Sequence, residues 1–223
     1  MSVAENLLEV RRRVADAATR AGTDPERIAL VAVTKTVDVQ AIREAVQAGV
    51  TDIGENYVQD AVRKFQAIGR AVRWHMIGHL QTNKVRYVVP IFDLIQSVDS
   101  VHLATEIGKR SLALGKLTEV LVEVNISGEA SKFGVQPGDA LASCEAVAGI
   151  DGIALSGLMG MAPFVDDTSV IRKSFSMLRG LWERLPAEHG KWLSMGMTAD
   201  FEIAIEEGSN MVRIGTAIFG PRR

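Results

Sequence analysis

The sequence predicts a single (β/α)8 TIM barrel with an extra helix ahead of the first strand. Segments with the apolar pattern of buried strands alternate with segments of helical periodicity along the chain, and eight such strands are present. The length of 223 residues also suits one barrel, since barrels run to roughly 200–250 residues as one domain. We therefore expect residues 1–223 to form a single domain.

The extra helix is predicted over residues 3–21, where apolar residues recur at alternating spacings of four and three and Gly22 follows as a stop. The strands are predicted at 28–34, 50–53, 73–77, 92–97, 118–125, 152–159, 191–195 and 211–214. The remaining helices are predicted at 38–48, 56–68, 80–88, 100–114, 138–148, 167–185 and 199–207. A doubly wound open sheet is the alternative, but no glycine fingerprint follows the first strand.

The composition is that of an ordinary globular protein, with 47% hydrophobic residues and a formal net charge of −2. Such a balance argues against nucleic acid as the main partner. The N-terminus carries an acidic residue as early as Glu5, and no segment approaches the roughly 20 apolar residues of a membrane span. The lone Cys144 fits a reducing compartment and is expected to be a buried structural thiol. We expect a cytoplasmic monomer with no membrane partner.

Lys35 is the first candidate functional residue, because the apolar strand 28–34 runs directly into it. In a barrel all eight strand ends face one mouth, and active sites lie there. A lysine that is partly removed from water has a lowered pKa and becomes a nucleophile for carbonyl groups. The alternative is that Lys35 only extends from a strand end into solvent.

The ends of strands 7 and 8 suggest a phosphate site, which barrels often build from these two loops. Ser194 and Thr216 offer hydroxyl donors. Gly196 and Gly215 let backbone amides approach an anion, and the helical stretch that starts near Thr198 could add its own amides. Each glycine alone is explained by a tight turn, but the two loops together favour a phosphate site.

Arg213 lies within a predicted buried strand, so its guanidinium must be paired, by a structural carboxylate or by a ligand atom. Asn56 follows strand 2, where its amide could bond the edge of a planar ligand. A lysine, a phosphate site and an arginine in one mouth suggest pyridoxal 5′-phosphate (PLP), whose aldehyde forms a Schiff base with lysine. We expect no metal, because His75 and His79 would lie about 13 Å apart on a strand.

The chain resembles the pyridoxal phosphate homeostasis protein family at motifs that span nearly its whole length, in order. The matching motifs are AVTK at 32–35, GENY at 54–57, WHMIGHLQTNK at 74–84, Asn125 and Glu129 with KFG at 132–134, GLM at 157–159 with Pro163, LSMGMTAD at 193–200 and VRIGTAIFG at 212–220. One departure is Thr198, where the family usually has serine, and the hydroxyl is retained.

The resemblance implies a barrel like the N-terminal domain of bacterial alanine racemase, with PLP bound as a Schiff base to Lys35. Carried over by motif position, Ser194 and the amides of Gly215 and Thr216 would hold the phosphate. Asn56 would lie near the ring, and Arg213 would face the pyridine nitrogen. The full set of implied cofactor-binding residues is Lys35, Asn56, Ser194, Met195, Gly196, Thr198, Arg213, Gly215 and Thr216.

The resemblance also implies a role in the homeostasis of vitamin B6 and amino acids, with PLP-dependent apo-enzymes as candidate recipients of the cofactor.

An arginine that faces the pyridine nitrogen keeps its own proton, so the PLP ring remains a poor electron sink. Racemisation needs an acid and a base on opposite faces of the substrate carbon. Racemases of this fold draw the second group from an extra β-domain and a partner subunit. This chain ends at Arg223, so we expect little turnover. A weak amino-acid racemase, and a lyase that uses Lys35 without a cofactor, are the alternatives.

Overall fold

The structure, a computed structural model, describes residues 2–129 and 132–221. Its eight parallel strands close into a barrel, because each strand pairs with the next along the chain and the eighth pairs with the first. This closed parallel barrel confirms the predicted fold. The strands are β1 (Ala29–Val33), β2 (Asp52–Glu55), β3 (Arg73–Met76), β4 (Leu94–Val98), β5 (Thr118–Val124), β6 (Ile153–Gly160), β7 (Trp192–Ser194) and β8 (Met211–Ile214).

The helices surround the barrel, and most of the longer ones begin at a polar residue whose side chain accepts a backbone N–H of the first turn. Asp38, for example, accepts from the amide of Ala41 at 2.9 Å. Ser2 and Glu5 form a reciprocal capping box at the first helix. The helices are α1 (Val3–Arg20), α2 (Val39–Gln47), α3 (Val58–Ile68), α4 (Val85–Val88), α5 (Val101–Ala113), α6 (Ala140–Ala148), α7 (Thr168–Trp182), α8 (Phe201–Glu206) and α9 (Thr216–Phe219).

The extra helix α1 completes the helical ring. The helix that follows β8 is the single turn α9, which the sequence reasoning did not predict, and α1 packs against α8, α9 and α2. Asn6 donates from Nδ2 to the carbonyl oxygen of Ile218 at 2.9 Å, and Arg13 pairs with Glu202 at 2.8 Å. The N-terminal segment therefore takes the place that a full-length eighth helix would occupy.

The predicted helix over 80–88 is correct only in part. Residues Thr82–Lys84 form a 3-10 turn, and regular α-helix is confined to Val85–Val88. The predicted helix over 138–148 likewise starts as a 3-10 turn, Pro137–Asp139, before α6. Proline at the first position is compatible with such a turn, because it has no N–H that a helix start would need to satisfy.

Two apolar cores flank the sheet. The larger one lies between the strands and the helices and buries large side chains such as Trp74, Phe92 and Phe175 completely. The smaller one fills the middle of the barrel and consists of Val31, Leu94, Leu121, Met159 and Met211. Because side chains alternate along a strand, residues two positions away from this inner cluster also face the barrel axis.

Across residues 2–129 and 132–221, no helix has both the length and the apolar character that crossing a bilayer requires.

Cys144 is buried, as expected from the sequence, and this burial raises the pKa of its thiol to about 11. A thiol with so high a pKa is almost entirely protonated near neutral pH and is therefore unreactive.

Candidate functional site

A cavity of about 380 Å³ opens at the mouth of the barrel between β1 and β8. Lys35 lines it together with Gly215 and Thr216, which follow β8. Lys35 is half-buried, whereas Thr216 is exposed. The predicted nucleophile and one of the two predicted phosphate loops thus meet in one cavity.

The backbone around Lys35 is held by a buried ion pair. Glu55, on the helix-facing side of β2, accepts from Lys64 Nζ and from the Thr34 hydroxyl, each at 2.6 Å. Lys64 Nζ also donates to the carbonyl oxygen of Thr34 at 2.6 Å. Thr36 has a φ of 61°, which is unusual for a β-branched residue. The contacts hold Thr34, the residue before Lys35, and the strained backbone at Thr36 directs the chain away from β1.

The loops after β7 and β8 touch each other. The amide of Gly215 donates to the hydroxyl oxygen of Thr198 at 3.4 Å. The loop after β7 turns at Gly196, which has a φ of 95° and whose missing Cβ would lie 2.5 Å from the Cβ of Ala204. Only glycine fits both this backbone conformation and this close approach. The structure therefore brings together the two loops in which the sequence predicts a phosphate site.

Ser194 and Met195 lie outside the lining of the cavity, and both are buried. The Ser194 hydroxyl donates to Gln96 Oε1 at 2.6 Å and accepts from Arg213 NH1 at 2.5 Å. The Met195 side chain packs into the core between strands and helices, and its amide donates to the carbonyl oxygen of Met211 at 3.2 Å. The hydroxyl of Ser194 therefore donates its proton to a partner in the barrel interior.

Arg213 faces the barrel axis near the mouth and is 3% exposed. Besides Ser194, its guanidinium bonds the carbonyl oxygen of Gly160 at 3.0 Å through NH2. Burial lowers the pKa of Arg213 to about 10, although the nearby carboxylates of Glu123 and Asp200 oppose the shift. The guanidinium therefore remains positively charged at neutral pH.

Glu123 is a buried carboxyl group close to Arg213 that the sequence reasoning missed. Burial raises the pKa of Glu123 to about 7, with the charge of Arg213 acting against the shift and that of Asp99 adding to it. Its side chain has no hydrogen bond within residues 2–129 and 132–221. Strongly shifted carboxyl groups in a cleft are frequent at functional sites.

The sequence pattern that could have identified Glu123 is the alternation of side chains between the two faces of β5. Glu119, Leu121 and Glu123 share one face of this strand, and Leu121 belongs to the inner core. The sequence reasoning took only Asn125 from this strand. Asn125 instead organises its own loop, donating to the carbonyl oxygens of Glu129 at 2.9 Å and Lys132 at 3.2 Å.

Asn56, which follows β2, carries an unsatisfied atom. Its Oδ1 is buried and accepts no hydrogen bond from the residues that the structure describes. The backbone beside it is closely packed, because a Cβ on Gly78 would lie 2.4 Å from the Asn56 carbonyl oxygen. Buried polar atoms are nearly always bonded in folded proteins, so an orphaned acceptor at a strand end marks a position where a ligand or water can donate.

The two histidines of the 75–79 segment have separate roles. His75 is fully buried and bonds Asp52 and Gln96. His79 pairs with Asp99 at 3.2 Å and stacks on Phe133 with 3.7 Å between ring centroids. Within the described part of the chain, no three His, Cys, Asp or Glu side chains are grouped so that they could hold a metal ion.

Sequence comparison gives matches over almost the full length. Residues 6–223 match the family model of the alanine racemase N-terminal domain. The pyridoxal phosphate homeostasis protein of Escherichia coli (strain K12) is 43% identical over 228 residues, which cover 99% of this chain and 97% of that protein.

Solved structures agree with this match. A protein described as unknown from Bifidobacterium adolescentis superposes with a TM-score of 0.93 at 40% identity, covering 97% of this chain and 94% of that one. PipY of Synechococcus elongatus, in a structure with PLP bound, superposes with a TM-score of 0.83 at 30% identity, covering 98% of this chain and all of that one (100%). The chain thus belongs to the alanine racemase N-terminal domain family and, within it, to the pyridoxal phosphate homeostasis proteins.

Proposed function

We propose that this protein binds PLP at the barrel mouth and serves PLP homeostasis, storing and delivering the cofactor with little turnover of its own. One observation carries the proposal: Lys35 lines the same cavity of about 380 Å³ as the Gly215–Thr216 turn. A reactive amine and an anion-binding turn in one cavity are what a phosphorylated aldehyde needs. The PLP-bound structure of the relative PipY supports the same ligand.

The residues of the mouth fit PLP group by group. The amides at the start of α9 have no partner within the helix, as at any helix start, so the Thr216 amide is suited to bind the phosphate, and the Gly215 amide can join it by exchanging its 3.4 Å bond to Thr198. The Thr198 hydroxyl lies beside Gly215 and adds a further donor. Asn56 Oδ1 is an orphaned acceptor that a group on the ring or a bridging water can satisfy.

Lys35 is the residue we assign to covalent attachment. When bound, PLP supplies an aldehyde that a lysine amine captures as a Schiff base. Lys64, which is paired with Glu55, donates to the carbonyl oxygen of Thr34 and so fixes the backbone from which Lys35 extends. A fixed backbone reduces the conformational freedom that attachment would otherwise remove.

Arg213 supports storage over catalysis. Its guanidinium stays protonated at neutral pH, so it would donate a hydrogen bond to the pyridine nitrogen of bound PLP without transferring a proton. A ring that is not protonated withdraws electrons weakly, and bonds of an attached amino acid then break slowly. The role that follows is to hold PLP, with apo-enzymes of the cytoplasm as recipients and amino-acid balance as a downstream effect.

Direct attachment is tested by loading the purified protein with PLP and recording its absorption band, followed by borohydride reduction and peptide mapping. We expect the adduct on Lys35 and no band in Lys35→Ala. Lys109→Ala, an exposed lysine paired with Glu106, is the matched control and should keep the band. A band that persists in Lys35→Ala contradicts the proposal, and a trapped substrate carbonyl without PLP indicates a cofactor-free lyase.

Delivery is tested by mixing the loaded protein with a PLP-dependent apo-enzyme and comparing the rate of activation with the rate of PLP release into buffer. Activation faster than release indicates direct transfer. Activation limited by release contradicts direct delivery and leaves storage alone.

A slow amino-acid racemase is the second candidate, because Glu123 is a carboxyl group at the mouth with a pKa of about 7. Such a group is suited to accept and return a proton near neutral pH. Incubating the loaded protein with α-deuterated amino acids tests this function. Loss of deuterium that disappears in Glu123→Gln supports the racemase, and full retention of deuterium excludes it.

A further inference from the structure

A line of four hydrogen bonds runs through the interior of the barrel from β2 to β8. Asp52 Oδ1 lies 2.8 Å from His75 Nε2, and His75 Nδ1 lies 2.9 Å from Gln96 Nε2. Gln96 Oε1 then accepts from the Ser194 hydroxyl at 2.6 Å, and Ser194 accepts from Arg213 NH1 at 2.5 Å. His75, Gln96 and Ser194 are fully buried, at 0% exposure. Barrel interiors are usually filled by Val, Ile and Leu at such positions.

The amide of Gln96, at the centre of this line, sets the direction of the bonds on both sides of it, and the two ends agree with that direction. Arg213 can only donate, and an ionised Asp52 can only accept. Burial acts to raise the pKa of Asp52, but the bonds from His75 and Thr51 and the charge of Arg73 outweigh it and lower the pKa. Asp52 therefore remains an anion.

Between these ends the bond directions follow from the orientation of Gln96. Its Oε1 can only accept, so the proton of Ser194 points to it. Gln96 accepts at Oε1, so its amide nitrogen donates to His75, and also to the sulfur of Met211 at 3.2 Å. His75 then accepts at Nδ1 and carries its proton on Nε2, toward Asp52. All four donors point along the line from Arg213 on β8 toward Asp52 on β2.

Such a line selects one orientation of the guanidinium. NH1 is bound by Ser194 and NH2 by the Gly160 carbonyl oxygen, and two bonds from two nitrogens define the plane of the group. A fully satisfied buried polar network makes an arrangement rigid, whereas breaking one link leaves both neighbours unsatisfied. Gln96 is the central link, and it lies outside the residues that line the cavity.

We propose that Gln96 is a positioning residue for the cofactor site: through Ser194 it holds Arg213 in the orientation that meets the pyridine nitrogen of PLP, before PLP arrives. This inference rests on the proposed function for its ligand, but the preorganisation of Arg213 belongs to the cofactor-free protein. Gln96 therefore acts on PLP affinity without touching PLP.

The first test measures PLP binding by the loaded absorption band in Gln96→Met, which keeps the side-chain length and removes both polar atoms. Because Ser194 loses the acceptor that orients it toward Gln96, Arg213 is no longer held in one orientation, and we expect the Kd for PLP to rise about tenfold, with a shifted absorption maximum. Gln96→Glu keeps an acceptor for Ser194 and should restore most of the affinity. Leu94→Ala, two residues earlier on the same face of β4, is the control for a damaged interior and should leave the absorption maximum unchanged.

A Gln96→Met variant with the Kd and the absorption maximum of the wild type would overturn the inference.

A second measurement uses the wild-type protein: the guanidinium N–H signals of Arg213 are followed by NMR in the absence of the cofactor. We expect signals that exchange slowly with solvent and do not average by rotation. A rotating guanidinium that becomes ordered only when PLP is added also overturns the inference. Failure of the wild type to bind PLP, with an ordered Arg213, refutes the proposed ligand and leaves the preorganisation intact.

Discussion

Two glutamates face the barrel axis from β5, four positions apart, and their surroundings are opposite. Glu119, at the end remote from the mouth, accepts from Lys191 at 3.0 Å, from Trp192 at 3.1 Å and from Arg73 at 3.3 Å. These contacts outweigh its burial and lower its pKa. Glu123, at the mouth, has no such bonds, and burial raises its pKa to about 7 although the charge of Arg213 opposes the shift.

The difference shows how stability and binding are divided between the two ends of this barrel. At the remote end the interior charges are paired, so that end contributes to stability. At the mouth, Glu123 and the Oδ1 of Asn56 are left with unused hydrogen-bonding capacity, which a ligand can fill. This division follows the general rule that one end of a (β/α)8 barrel serves stability and the other serves chemistry.

The largest expected effect tests whether pairing, rather than distance from the mouth, determines stability. Lys64 and Glu55 lie near the mouth but on the helix-facing side of the sheet, with side chains 9% and 0% exposed. Lys64→Met leaves a buried carboxylate without its cation, and we expect a loss of about 3–5 kcal/mol in the free energy of unfolding, measured with urea.

The neighbouring variant Arg63→Ala is the control, since its pair with Asp60 is exposed and such pairs contribute about 0–1 kcal/mol. Equal losses in the two variants would mean that the buried pair near the mouth is no more important than a surface pair.

The second prediction concerns Glu123→Gln and pH. Since the pKa of Glu123 in the folded protein, about 7, exceeds its ordinary value of 4.5, the folded state holds a proton that the unfolded state releases. The free energy of unfolding therefore falls as pH rises from about 4.5 to 7, by about 3 kcal/mol in total. We expect Glu123→Gln to remove this loss, so that it is more stable than wild type at pH 8 and about equal at pH 4.5.

Urea midpoints of both proteins at these two pH values check the prediction. A variant that is less stable than the wild type at pH 8 would show that the carboxylate of Glu123 is well paired with Arg213, and the contrast with Glu119 would disappear.

The third prediction concerns Glu119→Gln, the corresponding glutamate-to-glutamine substitution at the end of the barrel remote from the mouth. Glu119→Gln loses charge-assisted bonds to partly exposed cations, and we expect a loss of about 1–2 kcal/mol at neutral pH that shrinks in high salt. Because the pKa of Glu119 is lowered in the folded protein, its contribution is present above its ordinary pKa and disappears as pH falls through the folded value. The Kd for PLP should not change, and a tenfold change would connect the remote end to the site directly.

The smallest expected effect is that of Thr198→Ser. The hydroxyl that accepts from the Gly215 amide is retained, and only a methyl group is removed. We expect the Kd for PLP to stay within about twofold of the wild type, a difference below 0.5 kcal/mol. A tenfold change would show that the methyl group packs against the ligand and shapes this end of the mouth.

The fold was largely predictable because the strands are compact apolar runs. The run at 28–34 became β1, Ala29–Val33, and the run at 211–214 became β8 with the same bounds. The helix α9 was not predicted because four residues, Thr216–Phe219, are too few to show helical periodicity.

Of the candidate site, the sequence could predict only the residues that directly follow strands. Lys35, Gly215 and Thr216 meet in one cavity because parallel strand ends converge at one mouth of a barrel. The line through His75 and Gln96 was not visible in the sequence, because its members come from five different strands and no local pattern connects them. Only the closed barrel brings these strands to one axis.

The position of α1 has a consequence for how the molecule opens. This helix lies near the start of the described chain, yet it packs beside α9, the turn that begins at Thr216 near the other end, and Asn6 bonds the Ile218 carbonyl. These two segments therefore pack together close to β1 and β8, the strands next to Lys35 and Arg213, and we expect them to open as one unit. Amides of α1 and α9 should exchange with solvent together, so fraying of the N-terminus loosens the turn proposed to hold the phosphate.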